Sequence, residues 1–283
     1  MQIKKDTLTL RFLYKTAAGR LLLKGLVQPC ISKAAGNLLS SPVSRFIIPH
    51  YKKAHGISTE DCVTQDFRSF NDFFSRKRKK DIIDEDPSVL ISPCDGLLSV
   101  FSVDDARTFR IKDVDYELGQ LLRDDALAQQ YSGGKCLIFR LTPQHYHRYC
   151  FATGGIVEKT KAIGGILHCV RPVAYTIRPV FIENSREYTI ISTQNFGKIV
   201  QMEIGALMVG RIHNLDVGPE IVKGSEKGYF EFGGSTIIVL VEKDRLDIKE
   251  EFIGNTERGI ETDVRLGQYI GRAEEKAGQE NGH

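Results

Sequence analysis

Lys223-Gly224-Ser225-Glu226-Lys227-Gly228-Tyr229-Phe230-Glu231-Phe232-Gly233-Gly234-Ser235-Thr236 reads as a strand, a tight glycine turn and the start of a second strand. The second strand, Ser235–Val241, is rich in β-branched and aliphatic residues, which suit a pleated, buried surface. Working outward, residues 188–192, 198–204 and 205–212 have the same texture, and Lys135–Leu141 is an apolar run behind Ser132-Gly133-Gly134. Gly154-Gly155-Ile156 and Gly164-Gly165-Ile166 read as hairpin turns. Helix in this region is expected only over 118–130. The 26 glycines and the absence of Trp agree with many turns and short strands.

Before Pro87 the texture differs. Residues 7–40 read as helical, with Leu8, Phe12, Leu13, Ala17, Leu21, Leu22 and Leu26 near helical spacing and basic residues between them. Phe67, Phe70, Phe73 and Phe74 also fall at helical spacing, and residues 76–80 are five consecutive cations. Residues 1–80 hold 16 Lys/Arg against 5 Asp/Glu, whereas the remainder is acidic, so a net charge of +3 conceals a basic first third. Such a segment meets an anionic partner, lipid surface or nucleic acid, or is simply a solvated helical face. A basic amphipathic helix lies flat in a bilayer interface with its apolar side down. The aromatic run beside the cation cluster fits the same use, each charge worth about 1 kcal/mol near an anionic leaflet. The expected fold class is α+β: a small helical basic N-terminal region (1–85), a β-rich domain (86–271) and a polar, disordered tail (272–283).

Cysteines stand at 30, 62, 94, 136, 150 and 169 with no CxxC pair, so reduced thiols are expected and a disulfide framework has no support. A membrane-spanning helix needs about 20 apolar residues. The best stretch, 8–26, is broken by Arg11, Lys15, Arg20 and Lys24.

Gly234-Ser235 is ordinary as a turn, but it is also the peptide that serinolysis requires. The hydroxyl attacks the preceding carbonyl, glycine leaves room for the strained intermediate, and an N-to-O acyl shift followed by β-elimination and hydrolysis leaves a pyruvoyl group. Serine needs a base to take its proton, and the base needs an orienting acid. Ser92-Pro93-Cys94-Asp95-Gly96 offers a carboxylate, although Asp-Gly is also a common turn. Leu141-Thr142-Pro143-Gln144-His145-Tyr146-His147-Arg148-Tyr149-Cys150 offers imidazoles and a thiol. A metal site built on His145 and His147 is an alternative, but no standard zinc spacing fits and no metal is expected.

The order Asp95-Gly96, Tyr146-His147-Arg148-Tyr149 and Phe232-Gly233-Gly234-Ser235-Thr236 resembles the phosphatidylserine decarboxylases. Their cleavage motif reads Leu-Gly-Ser-Thr or Gly-Gly-Ser-Thr. Phe73-Phe74-Ser75-Arg76, Gly205-Ala206, Val209-Gly210 and Gly267-Gln268 extend the likeness over about residues 65–270. The resemblance implies that Ser235 is the cleavage nucleophile and pyruvoyl precursor, that Asp95 is the charge-relay carboxylate, and that Gly234-Ser235 is cut. His147 matches the first histidine of the family's Tyr-His-Arg-x-His pattern, and Cys150 stands where the second is found. His147 is then the expected base, with Cys150 and Tyr146 as further candidates. The implied cofactor is a covalent pyruvoyl group derived from Ser235. The implied reaction converts phosphatidylserine to phosphatidylethanolamine and CO2 through a Schiff base. The expected partners are phosphatidylserine, an anionic membrane surface and the chain's own two fragments, 1–234 and 235–283. Homo-oligomerisation stays open and nucleic acid is not expected. The expected location is peripheral, on the cytoplasmic face of a bacterial cell membrane. Competing readings are a pyruvoyl decarboxylase for a soluble amino acid and a non-catalytic lipid-binding paralogue.

Overall fold

The structure is a computed structural model that describes residues 8–207, 211–233 and 235–274. Five helices come first: α1 (Leu8–Lys15), α2 (Ala17–Leu26), α3 (Pro29–Leu39), α4 (Ile47–His55) and α5 (Phe70–Phe74), with a 3-10 turn at Pro42–Phe46 before α4. The single helix expected over 7–40 is thus three. Thr16 caps α2 by accepting the Gly19 amide at 3.0 Å, and Pro29, which has no amide to donate, opens α3. A side chain at Gly19 would meet the Phe12 carbonyl at 2.1 Å, so glycine allows the close α1–α2 corner.

Strands follow: β1 (Val89–Ile91), β2 (Gly96–Ser102), β3 (Thr108–Ile111) and β4 (Val114–Glu117). After α6 (Leu118–Leu122) and α7 (Asp125–Gln129) come β5 (Lys135–Leu141), β6 (Arg148–Cys150) and β7 (Gly155–Ile163). Helices α8 (Pro172–Tyr175) and α9 (Val180–Glu183) precede β8 (Arg186–Ser192), β9 (Lys198–Gly205), β10 (Ile212–Asn214), β11 (Glu220–Ile221), β12 (Glu226–Phe230), β13 (Ser235–Val241) and β14 (Leu246–Ile248). Helix α10 (Glu250–Glu257), β15 (Thr262–Val264) and β16 (Tyr269–Ala273) complete the described chain. This is the α+β arrangement expected, helices first and strands after. The main sheet is antiparallel in the order β11-β7-β8-β9-β13-β5-β2-β15, and β10-β12-β6 forms a smaller sheet.

Strand β13 lies between β9 and β5 and is covered on both faces. Ile238 and Leu240 pack with Met202, Ile138 and the buried side of α1 and α2, whereas Ile237 and Val239 pack with Phe139, Leu246 and Phe252. Full burial of each such side chain is worth about 1.5–3 kcal/mol, which is why the strand after Ser235 and Thr236 has no polar position.

Four expectations require correction. Helix is not confined to 118–130: α8 and α9 add single turns too short to show a period in sequence, and α10 adds eight residues. Residues 205–212 are not one strand: β9 ends at Gly205 and the Leu207 amide turns to the His168 carbonyl. The Gly164-Gly165 turn does not close a hairpin, since β7 and β8 pair across a long excursion pinned by Asn184. The Asn184 side chain accepts the His168 amide and donates to the His168 and Gly205 carbonyls. The aromatic run, finally, is interior. Phe67, Phe70, Phe73 and Phe74 are all buried and pack with Ile57, Tyr51 and Phe232. Arg76 and Arg78 turn inward with them, leaving Lys77, Lys79 and Lys80 outside. The expected tail falls largely at 275–283, outside the described residues.

Candidate active site

Ser235 is the first residue of β13, where it pairs with Gly205 of β9 on one side and Leu141 of β5 on the other. In an antiparallel sheet this end also gathers the start of β2, the end of β5 and the start of β8. Asp95 stands just before β2 and the histidine stretch follows β5 into β6 of the smaller sheet, so the motif-bearing segments start from one end of the main sheet. The Ser235 side chain is fully buried, and its Oγ makes no hydrogen bond among the described residues. A buried, unmet hydroxyl costs about 1–3 kcal/mol and marks a group held for something other than stability. Gly233 precedes it at φ 150°, a conformation L side chains rarely adopt, so the turn demands glycine there. Gly234 is outside the described residues.

His147 lies just before β6 and is fully buried. Its Nδ1 donates to the His145 carbonyl at 2.9 Å, which leaves the Nε2 lone pair free, and Nε2 is buried without a partner. Burial, with His145 and Arg76 close by, holds this imidazole well below its ordinary pKa. It is therefore a neutral base at physiological pH with its acceptor nitrogen fixed by backbone geometry. The ring lies tilted against Phe74, centroids 3.9 Å apart, and Phe74 meets Phe232 edge-on at 5.1 Å. Helix α5 thus wedges between the imidazole and the turn that leads to Ser235. No hydrogen bond joins His147 to Ser235.

Asp95 is engaged elsewhere. Its carboxylate takes a two-pronged contact from the Arg78 guanidinium and accepts the Leu266 amide at 2.9 Å. Arg78 also bonds Asp81 at 3.1 Å and lies over the Tyr146 ring at 4.1 Å. The Tyr146 hydroxyl accepts the Arg78 amide, and burial pushes its pKa up to about 12. The imidazole that feels Asp95 is His145. Burial lowers its pKa, with Asp263 and Asp95 opposing that shift. The Thr142 amide donates to His145 Nδ1 at 3.0 Å, which places the His145 proton on Nε2, 3.6 Å from Asp263. The expected Asp–His–Ser relay is not formed by hydrogen bonds: Asp95 reaches His147 only by way of His145, and Ser235 Oγ has no partner among the described residues.

The Cys150 thiol is buried in an apolar cluster with Val89, Ile91, Tyr146 and Leu266, and burial raises its pKa. Its amide donates to the Pro93 carbonyl at 2.8 Å, so the backbone here braces the Asp95 turn. Among the described residues no three His, Cys, Asp or Glu side chains gather as a metal-binding group.

Residues not singled out from sequence complete the site. Asn71 accepts the Phe232 amide at 3.1 Å and donates to Ser40 Oγ at 2.9 Å, tying the turn before Ser235 to α3 and α5. Lys227 on β12 meets Glu203 on β9 at 2.5 Å, both buried, while Asn214 bonds each of them. Burial raises the Glu203 pKa despite that lysine. Charged residues inside strands were the available signal for this pair.

The sequence profile described as phosphatidylserine decarboxylase matches residues 70–272. The chain belongs to the phosphatidylserine decarboxylase family. It is 40% identical over 265 residues to phosphatidylserine decarboxylase proenzyme 2 of Clostridium acetobutylicum, covering 93% of this chain and 91% of that one. It is also 40% identical over 275 residues to the phosphatidylserine decarboxylase proenzyme of Ruminiclostridium cellulolyticum, covering 94% and 92%. A proenzyme of the same name from Clostridium botulinum is 41% identical over 220 residues, covering 76% and 75%. The profile begins at Phe70, in α5, so the helix wedged against His147 is part of what the family shares.

Proposed function

We propose that the chain is a proenzyme that cuts itself between Gly234 and Ser235 and then decarboxylates phosphatidylserine to phosphatidylethanolamine. The observation that carries this reading is the pair of buried, unpartnered atoms on segments that start from one end of the main sheet: Ser235 Oγ, ready to attack, and His147 Nε2, ready to accept its proton. Gly233 gives the turn a backbone conformation that a residue with a side chain would rarely adopt. His147 acts as the base, and the depressed imidazole pKa keeps it unprotonated through the neutral range. Asp95, braced by Arg78, holds negative charge near His145 and so steadies the His145–His147 pair.

The orphaned Ser235 hydroxyl at the head of a rigid strand fits a serine-derived pyruvoyl group. When formed, that group supplies a carbonyl for the substrate amine and an electron sink for the pair left behind as CO2 departs. Around it, the chain's residues exclude water, since β13 is buried along its length, and His147 is the group assigned to return a proton to the substrate carbon.

The membrane surface is the proposed partner of the first three helices. Leu8, Leu21, Leu22, Leu38 and Phe46 are exposed, Leu21 by 72% and Phe46 by 75%, among Arg11, Lys15, Arg20, Lys24 and Lys33. No described helix is long and apolar enough to cross a membrane, and this pattern of apolar tips and cations supports a peripheral location on an anionic leaflet, at the cytoplasmic face of a bacterial membrane. The decisive experiment is denaturing intact-mass spectrometry. Two fragments split after Gly234, the smaller bearing a ketone in place of its amino group, are expected from the parent and a single chain from Ser235→Ala. One uncut parent chain, with no release of CO2 from phosphatidylserine vesicles, refutes the proposal.

A further inference from the structure

A cleft of about 440 Å3 opens between α3 and the sheet edge that carries Ser235, where β7 ends and β8 begins. Its wall is unusual in charge. Arg186 is 2% exposed, and its guanidinium donates to the carbonyls of Leu121, Gln120, Ile182 and Asn184 without meeting a carboxylate. Carbonyls solvate a buried cation but do not neutralise it, so a positive field remains. Lys33 and Arg211 add to it from the same wall. Two carboxylates, Glu187 and Glu231, offset part of this charge and are turned to other partners: Glu187 accepts from Asn214 at 2.7 Å, and Glu231 lies 2.8 Å from His213, leaving three cations against two anions in the wall. Ser32, on α3, also lines the cleft, is 5% exposed, and has no partner for its hydroxyl.

Position adds a second argument. Ile31 and Leu38 of α3 are exposed beside the cleft, so its mouth adjoins the apolar outer face. On the inner side, Gly36 and Ser40 bond Asn71, which holds the Phe232 amide of the cleavage turn. One helix therefore borders the apolar surface and is tied, through Asn71, to the turn before Ser235. We propose that this cleft receives the anionic phosphodiester headgroup of the phospholipid substrate, with the Ser32 hydroxyl and the Lys33 ammonium on the phosphate and Arg186 supplying the field behind it. This inference rests on the decarboxylase reading of the chain. The acyl chains leave over Ile31 and Leu38 toward the bilayer, while the serine amine and carboxylate point inward to Ser235.

The test uses the full-length, self-processed protein with phosphatidylserine in mixed micelles at fixed surface dilution. Ser32→Ala with Lys33→Met should raise KM at least about tenfold, the loss of one neutral and one charge-assisted hydrogen bond. Fragment masses and kcat should stay near the parent values, and the exposed Lys243→Met control should leave KM unmoved. Soluble glycerophosphoserine should inhibit the parent and lose potency against the double variant. A KM within twofold of an active parent overturns the inference and leaves the decarboxylase reading standing. Inhibition by inorganic phosphate as strong as by glycerophosphoserine also overturns it, since the cleft then recognises free phosphate. Loss of self-cleavage in the double variant counts against it too, by assigning α3 a structural role alone. A parent that neither splits nor releases CO2 fails at the underlying reading, a result separable from the other three.

Discussion

Lys227→Met, made on a Ser235→Ala background so that the chain stays whole, isolates the buried ion pair behind the reactive strand. The substitution removes the cation that faces Glu203 at 2.5 Å and leaves a carboxylate with no exposure to water. Breaking a buried pair in this way costs about 3–5 kcal/mol. The orphan keeps weak support from Asn214 at 3.2 Å and Gln201 at 3.4 Å, which favours the lower half of that range. For a chain of this size the melting temperature should fall on the order of 10 °C. Adding Glu203→Gln removes the stranded charge and should recover at least half of the loss. The pH signature follows from linkage. Without Lys227 the folded-state pKa of Glu203 lies still further above its unfolded value, so the missing stability returns as pH falls and the carboxyl is protonated. The gap between variant and parent should therefore narrow from pH 7.5 to 5.5 in calorimetric or circular-dichroism melts. A drop of less than about 2 °C, or a gap that ignores pH, refutes the idea that this pair clamps β12 to β9.

Further expectations concern the histidines, the thiol and the helical surface. His145, His147 and His168 all have folded-state pKa values below that of a free imidazole, His168 at about 4. The unfolded chain thus binds more protons below about pH 6.5, and each histidine should cost about 1.4 kcal/mol of stability per pH unit as acid is added, measurable by urea titration of Ser235→Ala. Cys150→Ala should leave the rate of self-cleavage within about threefold, because a buried thiol of raised pKa is a poor base, and a tenfold loss would restore the thiol to the mechanism. Leu21→Glu with Leu22→Glu should weaken flotation with anionic vesicles at least about tenfold while fragment masses match the parent, and unchanged flotation argues against the helical face as the contact. Point changes serve better here than removal of residues 1–30, since Leu13, Tyr14, Leu23 and Val27 lie in the main core and Tyr14 bonds His168.

The α+β order and the two central strands were legible because β-branched runs such as 135–141 and 235–241 have few alternatives once buried. The three motifs were legible for a different reason: serinolysis and its proton relay require particular side chains in a row. The aromatic segment was misread because periodicity reports an apolar stripe without saying what covers it. Phe70, Phe73 and Phe74 share one face of α5, and Asn71 is buried beside them, so four of its five residues are interior. Only the surroundings of that short helix show that it is interior, and the adjacent cations diverted the reading to a lipid surface. Arg78, one of those cations, turns out to be the brace of Asp95. Spacing along the chain cannot show such a pairing, nor that of Lys227 with Glu203, because both partners come from distant segments.

The place of β13 in the sheet bears on when the proposed cut is made. Its neighbours β9 and β5 belong to the long fragment, while β15 and β16, from the short one, lie against β2 and β1. The short piece is thus woven into two sheets at several points, and severing one peptide bond would free a chain end without freeing a subunit. Made separately, a 49-residue peptide opening with Ser235-Thr236-Ile237-Ile238-Val239-Leu240-Val241 would expose an uncharged, strongly β-prone run and self-associate. Assembly must therefore precede scission. The reactive end comes into being inside a finished sheet, so a polypeptide that fails to fold also fails to arm itself.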